Sequence, residues 1–139
     1  MKAPLAVAAI MAAAMAVAAL AVFGLGDAAT LVPPPEAVAE GFMRSMATHR
    51  YAQAMPYLTP PLRTIGLEGL RRRQEEIERA CGRVRDVRGV ERRRSGESAR
   101  AVAVLRAEKG DASVWFDLVR EHGEWRLASL GELDGRQTP

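Results

Sequence analysis

With a single cysteine, Cys81, the chain has no means of forming an intrachain disulfide, so any domain in it holds by packing and hydrogen bonding alone. Histidine is nearly as scarce. His49 and His122 lie far apart in sequence and, with one cysteine, give no recognised metal-ligand spacing; neither a metal nor a cofactor is expected. Aromatic residues make up only 5% of the chain. Lysine is almost absent: 20 basic residues, nearly all arginine, face 17 acidic ones for a net charge of +3. So small an excess, with acidic residues interleaved through the arginine runs and few aromatics, argues against a nucleic-acid partner.

The most consequential absence is local. From Ala3 to Gly26, 24 consecutive residues carry no charge and no side-chain hydrogen-bonding group. As a helix this run is about 36 Å long at ~1.5 Å per residue, enough to cross a hydrocarbon layer of ~30 Å. Signal-peptide apolar regions are typically ~7 to 15 residues, so the length favours a retained signal-anchor. Two features favour a cleaved signal peptide instead: eleven of the 24 residues are alanine, and Gly26-Asp27-Ala28 offers small residues for cleavage after Ala28. Both readings stay open. Lys2 precedes the run, and Asp27, Glu36 and Glu40 follow it before the first basic residue, Arg44. Positive charge stays on the cytoplasmic side, so the rest of the chain is expected outside the cytoplasm. It is either anchored to the cell membrane by a single pass or free in a periplasmic or secreted form. No cysteine follows the run to accept a lipid.

Residues 1–28 are thus assigned to the leader, 29–35 to a proline-rich linker, 36–134 to one domain and 135–139 to a tail. About 110 residues suit a single core. Leu31 to Pro35 reads Leu-Val-Pro-Pro-Pro, a short extended spacer. Pro35 also suits the first turn of a helix, where Glu36 and Glu40 favour the positive dipole end. Val38, Ala39, Phe42, Met43, Met46 and Ala47 then recur at helical spacing. A second helical stretch from Arg50 carries Tyr51, Ala54, Met55 and Leu58, and Thr59-Pro60-Pro61 is expected to end it. A third helix from Leu67 to Cys81 turns Leu67, Leu70, Ile77 and Cys81 inward, which makes Cys81 a small buried hydrophobe.

After Gly82 the period changes. Strands are expected over Val84 to Arg94, Ser98 to Glu108, Ala112 to Glu121 and Glu124 to Leu130. Ser95-Gly96-Glu97, Lys109-Gly110-Asp111 and His122-Gly123 supply hairpin turns between them. Helices followed by an antiparallel meander define an α+β class, with the helices covering one face of the sheet.

The block Pro35 to Leu62, the meander, and the closing Val119-Arg-Glu-His-Gly-Glu-Trp-Arg-Leu127 resemble the nuclear transport factor 2-like superfamily, especially its small exported bacterial members. The resemblance spans roughly Pro35 to Leu133. It implies a cone-shaped domain in which a curved antiparallel sheet wraps around the first helix. Phe42, Met46, Phe116, Leu118, Trp125 and Leu127 would form the inner wall.

Family members with isomerase, dehydratase or cyclase activity place acid or base side chains inside the cone, within reach of a carbonyl substrate. The candidates here are Asp86, Asp117, His49, His122, Tyr51 and Tyr57. Asp117 alternates with apolar residues and His122 sits in a hairpin turn, so both are expected to face water, and His49 is expected at a helix end. Arg71-Arg72-Arg73 and Arg92-Arg93-Arg94 read as solvated faces, with anionic lipid headgroups or an acidic partner surface as the alternative. Trp115 is out of phase with Phe116 and falls on the outer sheet face beside Val102, Val104 and Val119, a candidate protein contact.

The expectation is therefore a non-enzymatic extracytoplasmic domain that binds a protein partner, or a second copy of itself, through the sheet face. The alternative is a carrier or sensor of a small apolar ligand, with Tyr57, Phe116 and Trp125 as pocket walls. An enzyme of the isomerase or cyclase class stands third.

Overall fold

The structure is a computed structural model and describes residues 32–134. The chain divides into two units, Met1–Pro33 and Pro34–Pro139, and everything below concerns the second. The expectations for the leader, for residues 29–31 of the linker and for the tail lie outside the described residues. Among the described residues no helix is long and apolar enough to cross a membrane.

Helix α1 spans Pro35–Ala47 and buries Val38, Ala39, Phe42, Met43 and Met46 on one face. Pro35 occupies its first turn, where a missing N–H costs nothing, and Glu36 sits near the positive end of its dipole. The next helical stretch is shorter than its periodicity implies. A four-residue α2, Tyr51–Ala54, tightens into a 3-10 turn, Met55–Tyr57, at Pro56, which has no N–H to continue the α ladder. Thr59-Pro60-Pro61 does not simply end the helical region: a further turn, α3 (Pro60–Arg63), starts on these prolines. Helix α4, Gly66–Cys81, then buries Leu70, Gln74, Ile77 and Cys81, and the expectation that Leu67 joins them is corrected: in the first turn of the helix it is 53% exposed.

The strands are β1 (Val84–Ser95), β2 (Ser98–Ala107), β3 (Gly110–Glu121), β4 (Glu124–Leu127) and β5 (Glu132–Asp134). The first four form an antiparallel meander in sequence order, and β5 also pairs with β3. The expected fourth strand from Glu124 to Leu130 is corrected: it ends at Leu127, and β5, beyond Leu130, is a further strand that was not expected. Ala128 donates its N–H to Asp117 O (2.7 Å) and the Asp117 N–H goes to Ser129 Oγ (3.1 Å), which interrupts the ladder. Gly131, at φ 95°, then turns the chain back, and a side chain there would collide with Val114 and Phe116.

Helices on one face of a curved antiparallel sheet make the α+β cone expected from the sequence. The inner face of β2 is lined by Ala99, Ala101 and Ala103, all buried, and these small residues leave room for α1. Phe42 of α1 meets Phe116 of β3 edge-on, with ring centroids 5.7 Å apart. Met43, Met46, Leu58, Leu105, Leu118 and Leu127 fill the remainder and are fully buried. Cys81 is buried among them, its thiol donating to Ile77 O and its pKa pushed up chiefly by burial, as its helical phase indicates.

The helical layer meets both lateral edges of the sheet. On β1, Glu40 Oε1 accepts the Gly89 N–H at 2.9 Å, and Arg44 donates to Val87 O at 2.8 Å. On β4, Leu58 forms a parallel bridge with Leu127, and the Thr59 N–H reaches Leu127 O at 3.1 Å. Unpaired edges would otherwise offer a template for another strand.

Candidate interaction surface on the outer sheet face

Register sorts the outward-facing side chains into rows. Val90, Val102 and Trp115 form one row across β1, β2 and β3. Beside it lies Arg93, Arg100 and Asp117, and beyond that Ser95, Ser98 and Val119. On the other side, Arg88, Val104 and Ser113 make the next row.

Trp115 is half-buried and lies close to two guanidinium groups. Arg92 and Arg100 stand 5.7 and 5.6 Å from its ring centroid, within cation–π range. Val102, directly opposite Trp115 in the ladder, is only 1% exposed. The expectation that Val102 presents a contact surface is therefore corrected. It forms the floor beneath the outer-face side chains, while Val104, Trp115 and Val119 remain half-exposed around it.

The register slips between Glu91 and Arg93, so β1 carries one extra residue, Arg92, opposite Ala101 and Arg100 of β2. Arg92-Arg93-Arg94, expected as one solvated run, is separated by the bulge. Arg92 and Arg93 belong to the outer face with Arg100, while Arg94 lies 5.5 Å from the ring of Trp125, a residue of the inner wall. Nothing in the sequence marks a bulge at this point.

The proposed pocket walls do not assemble a pocket. Phe116 is fully buried in the core, and Trp125 is 5% exposed, flanked by Arg94 and by Arg120 at 5.7 Å. Tyr57 packs over Gly41 of α1, where a β-carbon would strike its ring, and burial raises its pKa. Two surface clefts are lined by other residues. One is bounded by Arg85, Arg106, Ala107, Glu108 and Asp111, the other by residues of β1, β2 and β3 around Arg93 and Arg100. The reading of Tyr57, Phe116 and Trp125 as walls of an open hollow is corrected: their apolar surface is spent on the domain's own packing.

The proton-transfer candidates are dispersed. Asp86 and Asp117 are exposed, and Asp117 Oδ1 lies 3.4 Å from Arg100 Nε. His122 occupies the β3–β4 turn at φ 54°, and it is exposed. His49 follows α1 at φ 60° and pairs through Nε2 with Glu78 Oε2 at 2.9 Å. Tyr51 lies beside His49, its pKa raised first by burial and then by Glu78 and Glu75. Among the described residues no group of histidine, cysteine and carboxylate side chains has a metal-binding arrangement.

No family model matches the chain, and no curated protein matches it. Solved structures do. One is a Campylobacter jejuni protein named as a candidate nuclear transport factor 2-like transpeptidase, at 16% identity and a TM-score of 0.54. The likeness covers 70% of this chain and 99% of that one. The fold is that of the nuclear transport factor 2-like superfamily, as the helix block and the closing hairpin suggested. The same comparison corrects the expectation that the domain is not an enzyme. A solved chain of this fold bears an enzyme's name, so the fold gives no ground for setting catalysis aside.

Proposed function

We propose that this domain is an extracytoplasmic docking module, held at or delivered across the membrane by its apolar leader, and that it presents the outer sheet face to a polypeptide partner. The observation that carries the reading is Trp115, half-buried on the outer face close to Arg92 and Arg100 and beside the buried Val102. Tryptophan and arginine dominate binding energy in protein interfaces because each combines a large contact area with a directed polar edge. The partner surface is apolar at its centre, to cover Trp115, and acidic at its rim, to meet the guanidinium groups. The name of the Campylobacter protein concerns peptide chemistry, which is in keeping with a peptide occupant.

The interior supports the same reading over a small-ligand carrier, since Phe42, Met43, Met46, Phe116, Leu118 and Leu127 occupy it. The test is photo-crosslinking in the intact envelope from a reactive residue placed at Val104 or Val119. A discrete adduct that disappears in Trp115→Ala supports docking through this face. No adduct, or an adduct indifferent to Trp115→Ala, defeats it.

A further inference from the structure

The bulge in β1 creates a charge problem on the outer face. Arg92 and Arg93 both stand near Arg100 on the neighbouring strand, and Arg93 is its direct register partner. Like charges opposite one another across a ladder repel. Among the described residues only Asp117 offers Arg100 a carboxylate within ion-pair distance, and neither Arg92 nor Arg93 has one. The Arg100–Asp117 pair is itself poorly aligned: at 3.4 Å it leaves the buried Arg100 Nε–H without a hydrogen bond. A buried donor left unsatisfied carries a desolvation cost that a ligand oxygen removes.

These side chains border a cleft of about 250 Å³ lined by Arg93, Ser95, Ser98, Arg100, Asp117 and Val119, among others. That volume falls below the range of about 300–1,000 Å³ usual for whole small-molecule ligands, and suits a single side chain or chain terminus. Its donors are two guanidinium groups, which recognise planar oxyanions, and the hydroxyl of Ser95, while the Ser98 hydroxyl already donates to Ser95 O at 3.2 Å.

We propose that this cleft is a carboxylate-recognition site that receives an acidic side chain or the C-terminal carboxylate of the polypeptide docked over Trp115. The inference rests on the docking reading and adds the chemistry of the occupant. Asp117 holds Arg100 in the unliganded domain. The incoming carboxylate completes the coordination of Arg93 and Arg100, while the apolar part of the same segment covers Trp115.

The test titrates the full-length chain with a blocked tri-glutamate peptide, its tri-glutamine counterpart and inorganic phosphate. Arginine Hε and tryptophan indole resonances provide the readout. The expected result is saturable movement of the Arg100 Hε and Trp115 signals with tri-glutamate alone. Arg93→Ala and Arg100→Ala each weaken binding about tenfold, as loss of a charge-assisted hydrogen bond implies. Asp117→Asn strengthens binding, because it removes the resident competitor, and this variant keeps the result readable should Arg100→Ala fail to fold. An equal response to tri-glutamine, tighter binding of phosphate than of tri-glutamate, or weaker binding in Asp117→Asn overturns the proposal. Crosslinking that depends on Trp115 but not on Arg93 or Arg100 sinks this site and leaves the docking reading standing. Crosslinking indifferent to Trp115 sinks the docking reading itself.

Discussion

Gly89 of β1 lies so close beneath the first turn of α1 that a β-carbon there would fall on the carbonyl oxygen of Glu36. The side chain of Glu40, one turn further along the helix, takes the Gly89 N–H. Helix and edge strand therefore come backbone against backbone at Glu36, and the Glu40 carboxylate ties them one turn on. Glycine is required here for space.

Gly89→Ala is expected to destabilise the domain by about 3 kcal/mol, the upper end of what overpacking costs, because backbone yields less readily than a side chain. Glu40→Ala, which leaves the Gly89 N–H unpaired, is expected to cost about 1–3 kcal/mol. Urea denaturation of both variants measures this. A Gly89→Ala chain as stable as the parent would show that α1 does not rest on β1 in this way.

Alkaline pH should weaken the fold before mild acid does so through these groups. Burial raises the pKa of Tyr57 above its ordinary 10.0 and that of Cys81 above its ordinary 9.0. Both groups are neutral when protonated, so the folded state holds its protons more tightly than the unfolded chain. Their contribution is complete below the unfolded pKa values and is lost as pH rises through the folded ones. Stability measured from pH 7 upward should begin to fall near pH 9, and Tyr57→Phe should flatten the later part of that decline. A decline identical in Tyr57→Phe would assign the effect elsewhere.

The two tryptophans should differ in access to solvent although each lies beside two arginines. Trp125 is 5% exposed and belongs to the core, whereas Trp115 is half-buried on the outer face. Acrylamide should quench the emission of a Trp125→Phe chain, which reports Trp115, several-fold more strongly than that of a Trp115→Phe chain. Equal quenching would mean that another part of the molecule covers the outer face.

Much of the architecture was legible in the sequence because it follows from short-range periodicity. Phe42, Met43 and Met46 recur at helical spacing and do line one face of α1. Val114, Phe116 and Leu118 alternate and do face the core together. His122-Gly123 marks a tight turn and lies at the β3–β4 connection, both residues at positive φ. The residues of the candidate surface were only partly legible. Alternation placed Trp115 outside, but it also offered Val102 as an exposed neighbour, and burial depends on what lies across the ladder.

By itself, the order of residues determined the helices, the meander and which side of each strand is apolar, since these depend on side chains a few positions apart on one backbone. The tertiary structure alone decided the pairing of Arg93 with Arg100, the shelter given to Val102, the return of β5 to β3 and the contact of Gly89 with α1. Each depends on register between distant segments. One extra residue in a strand changes which charges meet, and local propensity carries no record of that choice.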